Sequence, residues 1–467
     1  MTASRRHTLT GLAAGAAMLV LPGQASAQTG STQITFDGDY GGVLNVGVGK
    51  LRLRLVIAGD RVTLYSLDQG NAPIPATKVE RSGGLILLQF AAIGATYRAR
   101  LEGKTLVGDF IQGRAYSLEM VRGASPDEAS GLAALLTRPM SQELLAEIRH
   151  KLGSPAMAVG WHLTGNSQQA LVDGVRARFS NTRVETRDRW HIGSITKSFT
   201  ATLFARAVEA GAIRWDTRLG QRLKDVPKPY AQLTAIELLS HNGGLPTDIP
   251  MPELTALPRV EADPRATRRR YAQIALAQPP VAAPRSKFAY SNVGYVLAAI
   301  MLEEATGLSW EALIRRELFE PLELGTAGFG PPGSLDGPTY TEPRGHAGGQ
   351  PIFLDNPSAM APAGGLHIGL YNLLTYLAAH RGKPAFLKPE TWRELHTPRF
   401  GGRYALGWHV NPDGSLWHNG SNTAWYAEVT VESAARLVTA VCANDAALIT
   451  RHRLLLPAIR RAAGVAA

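Results

Sequence analysis

Residues 191–200 read His191-Ile192-Gly193-Ser194-Ile195-Thr196-Lys197-Ser198-Phe199-Thr200. The pattern predicts a helix that begins near Ser194 and runs on to Glu209, and residues three apart on a helix share a face. The amine of Lys197 can therefore reach the hydroxyl of Ser194. Gly193 allows another backbone to approach closely, and the helix start offers unpaired N–H groups. This arrangement can make a nucleophile of an alcohol, although the same spacing also occurs at ordinary helix starts.

The length and composition of the chain are those of a globular protein with two or three domains. The chain has 467 residues, of which 45% are hydrophobic and 19% are charged, and this exceeds one average domain. Its one cysteine, Cys442, lies in an apolar run and is expected to be a buried small side chain. A single cysteine excludes an intramolecular disulfide and a multi-cysteine metal site.

The chain is basic but lacks the features of a nucleic-acid-binding protein. Its formal net charge is +11, which becomes +9 (11 − 2) if a segment carrying Arg5 and Arg6 is removed. The arginines are dispersed apart from one run at residues 268–270, and no basic stretch is interleaved with stacking aromatic residues. We therefore expect a solvated basic surface and no nucleic-acid partner.

The first 27 residues have the organisation of a targeting segment. Arg5 and Arg6 precede an apolar run from Leu12 to Leu21, and Ala25-Ser26-Ala27 resembles a cleavage site. The paired arginines predict a twin-arginine signal peptide at residues 1–27, although a Sec signal would look similar. That run is short for a transmembrane helix, and no later stretch is long and apolar enough to span a bilayer. We expect a periplasmic or secreted protein with no stable membrane span.

Residues 28–123 are predicted to form an N-terminal β-rich domain. The run Leu51-Arg52-Leu53-Arg54-Leu55 alternates strictly, as in a half-buried strand, and similar short runs recur between Gly-rich turns. The regular spacing predicts a meander closed into a small barrel or sandwich. Residues 47–50 read Gly-Val-Gly-Lys, but the surrounding residues do not match a phosphate-binding loop. No polar cluster in this region indicates catalysis.

The rest of the chain is predicted to be one α/β domain. Residues 123–131 are small and polar, and a linker is expected at 124–140. In the domain at 141–467, strand signals at both ends enclose helix-rich sequence, which predicts a sheet flanked by helices with a helical insertion at about 215–345.

A second polar stretch, Tyr290-Ser291-Asn292, precedes an apolar helix. Asn292 is expected to cap that helix, a structural role that needs no catalysis. Tyr290 would lie on the preceding loop, where its phenol could face a cleft. A lysine ammonium nearby would favour the ionised phenol, which makes Tyr290 a candidate base.

A third stretch, His418-Asn419-Gly420-Ser421, leads into the alternating strand signal at 428–431. Such an edge can aim backbone N–H groups at a carbonyl oxygen, as an oxyanion hole requires. A second His-Asn-Gly at 241–243 follows a predicted helix at 235–239 and is explained as its glycine C-cap. We therefore assign the copy at 418–420 to the active site.

The three stretches together resemble the motifs of the class C β-lactamase-like serine hydrolases, in the same order and at similar separations. This family includes class C β-lactamases, penicillin-binding DD-peptidases, D-aminopeptidases and related esterases. Two further stretches are similar, Leu238 to Pro246 and Pro362 to Leu366. The resemblance covers about residues 141–445. It implies a β-lactamase/transpeptidase-like fold, with an antiparallel sheet flanked by helices and a helical subdomain.

Carried over residue by residue, the resemblance implies a role for each candidate. Ser194 would be the nucleophile, Lys197 and Tyr290 would share the proton transfers, and Asn292 would bind substrate or hold Lys197. The oxyanion hole would use the N–H groups of Ser194 and Ser421, and the stretch His418, Asn419 and Gly420 would line the substrate edge. The resemblance implies neither a metal nor a cofactor. The sequence also lacks G-x-S-x-G and H-E-x-x-H.

One departure from the family bears on the substrate. Class C β-lactamases carry lysine where this chain has His418, and an unperturbed imidazole is mostly neutral at pH 7. We therefore expect weak or no β-lactam hydrolysis and an esterase-like enzyme that acts on small esters, amides or peptides through an acyl-enzyme. The alternatives are a DD-peptidase or D-aminopeptidase acting on cell-wall peptides, and a non-catalytic penicillin-binding or receptor-like protein. The sequence leaves the oligomeric state open.

Overall fold

A computed structural model of the chain describes residues 35–45, 50–69, 72–126, 131–333, 340–353, 355–449 and 451–466. The predicted signal peptide, the Gly-Val-Gly stretch at 47–49 and part of the predicted linker lie outside these residues. The chain divides in sequence into two compact units between Leu135 and Leu136. Within the described ranges, every helix is too short or too polar to cross a lipid bilayer.

The N-terminal unit contains a nine-stranded antiparallel sheet. Its strands are β1 (Gly38–Asn45), β2 (Lys50–Ala58), β3 (Arg61–Ser66), β4 (Pro73–Pro75), β5 (Lys78–Ser82), β6 (Leu85–Phe90), β7 (Ala95–Glu102), β8 (Thr105–Gln112) and β9 (Arg114–Arg122). Their order across the sheet is β4-β3-β2-β1-β9-β8-β7-β6-β5. Two meanders are joined by the pairing of β1 with β9, and β4 and β5 are the two ends of this half-barrel. The predicted all-β domain is confirmed.

The alternation in β2 departs from the expected pattern at one residue. Leu53 and Leu55 are buried and Arg54 is exposed, as predicted. Arg52, however, is 2% exposed, and its guanidinium lies 2.8 Å from a carboxylate oxygen of Asp68. A buried arginine needs such a partner, and the partner lies 16 residues along the chain, in the 3₁₀ turn Leu67–Gln69.

The C-terminal unit is built on a six-stranded antiparallel sheet. Its order is β11-β10-β20-β19-β18-β17, with β10 at Ala156–Leu163, β11 at Gln169–Gly174, β17 at His409–Val410, β18 at Leu416–Ser421, β19 at Tyr426–Glu432 and β20 at Leu437–Ala443. Smaller sheets contain β12 (Arg189–His191), β13 (Gly328–Phe329), β14 (Gly345–Ala347), β15 (Gln350–Ile352) and β16 (Leu366–Gly369). This arrangement confirms the predicted α/β domain.

The helices of this unit lie between the strands in sequence. Those between β12 and β13 are Thr196–Glu209, Leu219–Arg222, Ala235–Leu239, Met251–Ala256, Arg265–Leu276, Asn292–Thr306 and Trp310–Ile314. Outside this stretch are Gln142–Leu152, Ala361–Gly364, Leu370–Ala379, Pro389–His396 and Leu456–Ala462. The short helix Leu132–Leu135 ends the N-terminal unit.

Two of these helices form the centre of the core. Eleven residues of Thr196–Glu209 and eleven of Asn292–Thr306 are buried, and the two helices pack against each other. A helix that is buried on nearly all sides belongs inside a domain. The first turns of the two helices lie next to each other, so the residues in these turns are brought together on a rigid support.

Candidate active site

Ser194 lies in a 3₁₀ turn, Gly193–Ile195, that connects β12 to the helix Thr196–Glu209. Its side chain is partly exposed, whereas Lys197 is fully buried in the first turn of the helix. The amine nitrogen of Lys197 lies 3.0 Å from the hydroxyl oxygen of Ser194. The sequence spacing therefore brings these two groups into direct contact, as predicted.

Two other acceptors surround the Lys197 amine. Its nitrogen lies 2.8 Å from Oδ1 of Asn292 and 2.7 Å from the carbonyl oxygen of Ala363. The ring centroids of Tyr290 and Tyr295 lie 4.8 and 5.4 Å away. Burial lowers the pKa of Lys197 from 10.5 to about 7, against an opposing effect of the Asp248 charge. Much of the lysine is therefore a free amine at neutral pH.

Tyr290 completes the contact with the serine. Its hydroxyl donates a hydrogen bond of 2.8 Å to Oγ of Ser194. Burial raises the pKa of Tyr290 to about 12, although its bond to Ser194 acts in the other direction. The expectation that a nearby lysine would favour the ionised phenol is therefore wrong, because burial disfavours the charged form. Tyr290 stays protonated at neutral pH.

Asn292 does not cap its helix, contrary to the sequence prediction. The N-cap is Ser291, whose Oγ accepts from the backbone N–H of Gly294 at 3.4 Å, and Asn292 is the first helical residue. Its side chain is thus free to reach the lysine. The Asn292 amide donates through Nδ2 to Oδ2 of Asp248 at 3.0 Å, which directs Oδ1 towards Lys197.

Asp248 was not predicted from the sequence. Its carboxylate accepts from the hydroxyl of Tyr271 at 2.7 Å and from the backbone N–H of Ile249 at 2.9 Å, in addition to Asn292. The side chain is partly exposed. The only sequence signal for Asp248 was its position just after the Leu238 to Pro246 stretch.

The second His-Asn-Gly also contributes to the site, which corrects its interpretation as a simple glycine cap. Gly243 has no positive φ, and His241 itself adopts a φ of 60° after the helix Ala235–Leu239. The His241 ring lies 4.3 Å from that of Tyr290, centroid to centroid, and its Nδ1 accepts from the N–H of Ser291 at 3.0 Å. Burial lowers the pKa of His241 well below its usual range. His241 therefore supports Tyr290 as a neutral ring.

The edge of β18 lies against the Ser194 turn. A Cβ atom added to Gly193 would overlap the backbone nitrogen of Ser421, and one added to Gly420 would lie 2.5 Å from the nitrogen of Ser194. Gly193 also has a φ of 50°, which favours glycine. The two glycines thus allow the backbones that carry the N–H groups of Ser194 and Ser421 to touch. The two N–H groups are thus carried on adjacent backbones, as the predicted oxyanion hole requires.

His418 is buried, with 1% exposure. Its Nε2 lies 2.9 Å from the hydroxyl of Tyr404 and its Nδ1 lies 2.6 Å from the carbonyl oxygen of Asn419. Since that carbonyl can only accept, Nδ1 carries the hydrogen and Nε2 accepts from Tyr404. Burial lowers the pKa of His418 well below its usual range. The imidazole is therefore neutral, as expected from the sequence.

The Asn419 side chain does not join the other candidates. Its Nδ2 lies 3.4 Å from Nδ1 of His452, and neighbouring strand residues point to opposite faces. Ser194, Lys197, Tyr290 and Asn292 are thus connected by direct hydrogen bonds, and Gly420 and Ser421 flank them. No group of three or more His, Cys, Asp or Glu side chains in the described residues is arranged to hold a metal ion.

A serine bonded to a lysine three residues on, with a tyrosine on the other side, defines a serine hydrolase of the S-x-x-K type. The sequence pattern of the family described as Beta-lactamase matches residues 142–464, more than half of the chain. The protein therefore belongs to this family and is a β-lactamase-family serine hydrolase, which confirms the resemblance seen in the sequence.

Curated relatives match over part of their length. Penicillin-binding protein 4 from Amycolatopsis lactamdurans is 29% identical over 187 residues, which are 39% of this chain and 47% of that protein. Unguisins hydrolase ungD from Aspergillus violaceofuscus is 29% identical over 161 residues, which are 32% of this chain and 27% of the relative. This chain thus spans less than half the length of these relatives.

Solved structures share the fold. D-amino acid amidase from Ochrobactrum anthropi SV3, complexed with L-phenylalanine amide, has a TM-score of 0.56 and 20% identity over 72% of this chain and 99% of its own. The octameric penicillin-binding protein homologue from Pyrococcus abyssi has a TM-score of 0.57 and 21% identity, covering 70% and 77% of the two chains. The predicted β-lactamase/transpeptidase-like fold is confirmed.

Proposed function

We propose that the protein cleaves ester or amide bonds through an acyl-enzyme on Ser194, with Lys197 as the base. The observation that carries the proposal is the surroundings of the Lys197 amine. A free amine has two hydrogens and one lone pair. The carbonyl of Ala363 and Oδ1 of Asn292 accept the two hydrogens, so the lone pair is left to face the Ser194 hydroxyl.

Acylation follows from this geometry. The oxygen of Ser194 attacks the carbonyl carbon of the substrate, and its proton moves to the Lys197 nitrogen. The N–H groups of Ser194 and Ser421 bind the oxyanion that forms. The Tyr290 hydroxyl gives its proton to the leaving oxygen or nitrogen as the C–O or C–N bond breaks, and the phenolate recovers a proton from Lys197. In deacylation, water attacks the acyl carbon and gives its proton to the Lys197 nitrogen. The Ser194 oxygen then leaves and takes a proton back, which releases the acid.

We propose an esterase-like preference with weak or no β-lactamase activity. The support is His418, because its ring is neutral, buried and hydrogen-bonded at both nitrogens. It therefore supplies no cation for a substrate carboxylate. Small neutral esters and amides do not require one.

A second candidate, an aminopeptidase or amidase for amino-acyl substrates, is favoured by Asp248. This partly exposed carboxylate is bonded to Asn292, which in turn is bonded to the Lys197 amine. It is suited to receive the ammonium group of an amino-acyl substrate. A solved relative of this fold is a D-amino acid amidase, and D-amino-acid amides therefore belong among the substrates tested.

An activity screen with the Ser194→Ala variant tests the proposed function. Purified protein is assayed on p-nitrophenyl esters, D-amino-acid amides, a D-Ala-D-Ala peptide and a chromogenic cephalosporin, and is labelled with a fluorophosphonate probe. We expect ester turnover and labelling in the wild type and neither in the variant. Labelling that persists in the variant would place the nucleophile elsewhere. Stoichiometric labelling without turnover on any substrate would favour a non-catalytic receptor.

The substrate preference is tested by His418→Lys. The lysine adds a cation at the strand edge, and we expect the ratio of cephalosporin to acetate-ester hydrolysis to rise. Asn419→Lys is the matched control, because its side chain lies towards His452. An equal rise in both variants would attribute the effect to general charge and would contradict a specific role of residue 418.

We also propose export to the periplasm or the medium, on the strength of Arg5, Arg6 and the apolar run that follows. Cell fractionation of the full chain tests this proposal. Replacement of both arginines by lysine is expected to retain the protein in the cytoplasm if the twin-arginine route is used. Unchanged export would indicate the Sec route, and a wild-type chain that remains cytoplasmic would refute export.

A further inference from the structure

Asp355 is a buried carboxylate near Ser194 that the mechanism above does not use. It is 8% exposed and follows β15 in the sequence. One oxygen, Oδ2, lies 2.9 Å from Nε2 of His191. The other, Oδ1, accepts from Nδ2 of Asn422 at 3.0 Å and from the backbone N–H of Asn356 at 2.7 Å. Both oxygens therefore have partners, and those partners belong to different segments.

The His191 ring has a defined tautomer. Its Nδ1 lies 3.2 Å from the backbone nitrogen of Gly193, which can only donate. Nδ1 is therefore the acceptor, and Nε2 carries the hydrogen that is donated to Asp355. Both nitrogens are occupied away from the Ser194 hydroxyl. His191 and Asp355 are thus not the base of a Ser-His-Asp triad, although His191 lies only three residues before Ser194 in the sequence.

The two segments joined by Asp355 are those that carry the proposed oxyanion donors. His191 ends β12 and bonds to Gly193, the residue before Ser194. Asn422 directly follows Ser421, the last residue of β18. The donor N–H groups belong to Ser194 and Ser421, so their spacing depends on how the two segments are held. Asp355 bonds to both.

We propose that Asp355 is the positioning residue of the oxyanion hole, and that it acts through His191 on one side and Asn422 on the other. This inference rests on the proposed function. A displacement of either donor by a fraction of an ångström weakens its bond to the developing oxyanion more than its bond to the uncharged substrate. We call the hydrogen bonds of Asp355 to His191 and Asn422 the clamp. Loss of the clamp should therefore lower kcat and leave KM nearly unchanged.

A charge-swap series tests the clamp. In Asp355→Asn one of the two donors, His191 or Asn422, faces an NH₂ group, and in Asn422→Asp two carboxylates face each other. In the double variant the amide of residue 355 donates to the new carboxylate and accepts from His191, but the backbone N–H of Asn356 loses its acceptor, so the rescue is partial. We expect each single variant to lose about 30-fold or more in kcat for a p-nitrophenyl ester, with KM within about threefold. The double variant should recover about tenfold.

Affinity for an alkyl boronic acid separates positioning from simple destabilisation. The boronate forms a tetrahedral adduct on serine, so its inhibition constant should rise in proportion to the loss in kcat/KM across the series. Asp173→Asn is the control, because Asp173 is similarly buried and pairs with Arg149 and Arg183 at the far edge of the sheet. It should lower thermal stability without changing boronate affinity. Equal boronate effects in Asp173→Asn and Asp355→Asn would overturn the proposal.

A milder variant covers the case in which Asp355→Asn does not fold. Asn422→Ala removes one hydrogen bond of the clamp and is expected to lower kcat about tenfold with little change in melting temperature. Unchanged kcat in that variant would refute the clamp. Turnover that survives Ser194→Ala would instead refute the proposed function. If Ser194→Ala is inactive and the Asp355 series matches wild type, the positioning role alone is wrong.

Discussion

The Lys197 nitrogen lies 3.0 Å from the Ser194 oxygen and 2.7 Å from the carbonyl oxygen of Ala363. The carbonyl can only accept, and Asn292 presents a second acceptor because Asp248 holds its amide group. Two hydrogens of the amine are thus directed away from the serine. Burial then makes the neutral amine accessible near pH 7. Packing and hydrogen bonding both prepare the same group to accept a proton.

The first prediction concerns the pH dependence of activity. Since the pKa of Lys197 is lowered to about 7, and the free amine is the active form, kcat/KM should fall as pH drops below 7. The acid limb should be half-maximal near pH 7. Lys197→Arg should be inactive at every pH, because arginine does not give up its proton. A flat profile from pH 5 to 8 would contradict the role of Lys197.

The second prediction concerns stability. A lysine pKa lowered from 10.5 to about 7 means that the unfolded chain binds more protons between these pH values. The unfolding free energy of the wild type should therefore rise with pH across this window, relative to Lys197→Met, by up to ~4 kcal/mol. Denaturant titrations of both proteins at pH 6.5 and pH 10 measure this difference. A difference that is constant with pH would refute the lowered pKa.

The third prediction concerns the phenol. Tyr290→Phe removes the hydroxyl that donates to Ser194 but keeps the ring that packs on His241. We expect a folded protein whose kcat falls by about 10² to 10⁴. In the wild type, the pKa of about 12 predicts no loss of activity from Tyr290 ionisation below about pH 10. Stopped-flow acylation rates and circular dichroism test the two parts, and an unchanged acylation rate would exclude Tyr290 from proton transfer.

The fourth prediction concerns Asp248. Its negative charge raises the pKa of Lys197, so Asp248→Asn should lower that pKa further and move the acid limb of activity to lower pH. If Asp248 also receives a substrate ammonium, the variant should raise KM for a D-amino-acid amide more than for its N-acetylated form. The pH profile and the paired KM values are measured separately. An acid limb displaced to higher pH would contradict the electrostatic argument.

The fifth prediction concerns the contact between the two backbones. Gly420→Ala would place a Cβ against the backbone atoms of Ile192 and Ser194, and β18 would have to move away from the turn that carries Ser194. We expect a loss of about 10² or more in kcat. Gly325→Ala is the control, because that glycine is exposed and nothing lies within 4 Å of an added Cβ. It should retain wild-type turnover, and a similar loss in both variants would argue against a local effect.

The contact between Ser194 and Lys197 could be predicted from the sequence because both residues lie in one local motif. Ser194 and Lys197 are one helical turn apart, and the start of a buried helix brings them into contact. Gly193 indicated a close approach of another backbone, and the stretch around Gly420 indicated an edge that aims N–H groups. The fold class followed from the strict alternation of the N-terminal strands and from strands at both ends of the second domain.

The supporting residues were not predicted because they act across long sequence separations. Asp355 bonds to His191 over 164 residues, and Asp248 bonds to Asn292 over 44. The protonation of Tyr290 depends on desolvation, which no local pattern reports. The prediction that Asn292 is the N-cap was wrong by one residue, because serine and asparagine are both good caps and are adjacent here.

The half-barrel of the N-terminal unit ends in strands that resist recruitment of another chain. An open sheet exposes unpaired N–H and C=O groups at its end strands, which can seed intermolecular aggregation. Here β4 carries Pro73 and Pro75, which have no N–H to donate, and β5 carries Lys78, Glu80 and Arg81 on an exposed surface. Prolines on one edge strand and charged side chains on the other disfavour pairing of this sheet with a strand of another chain.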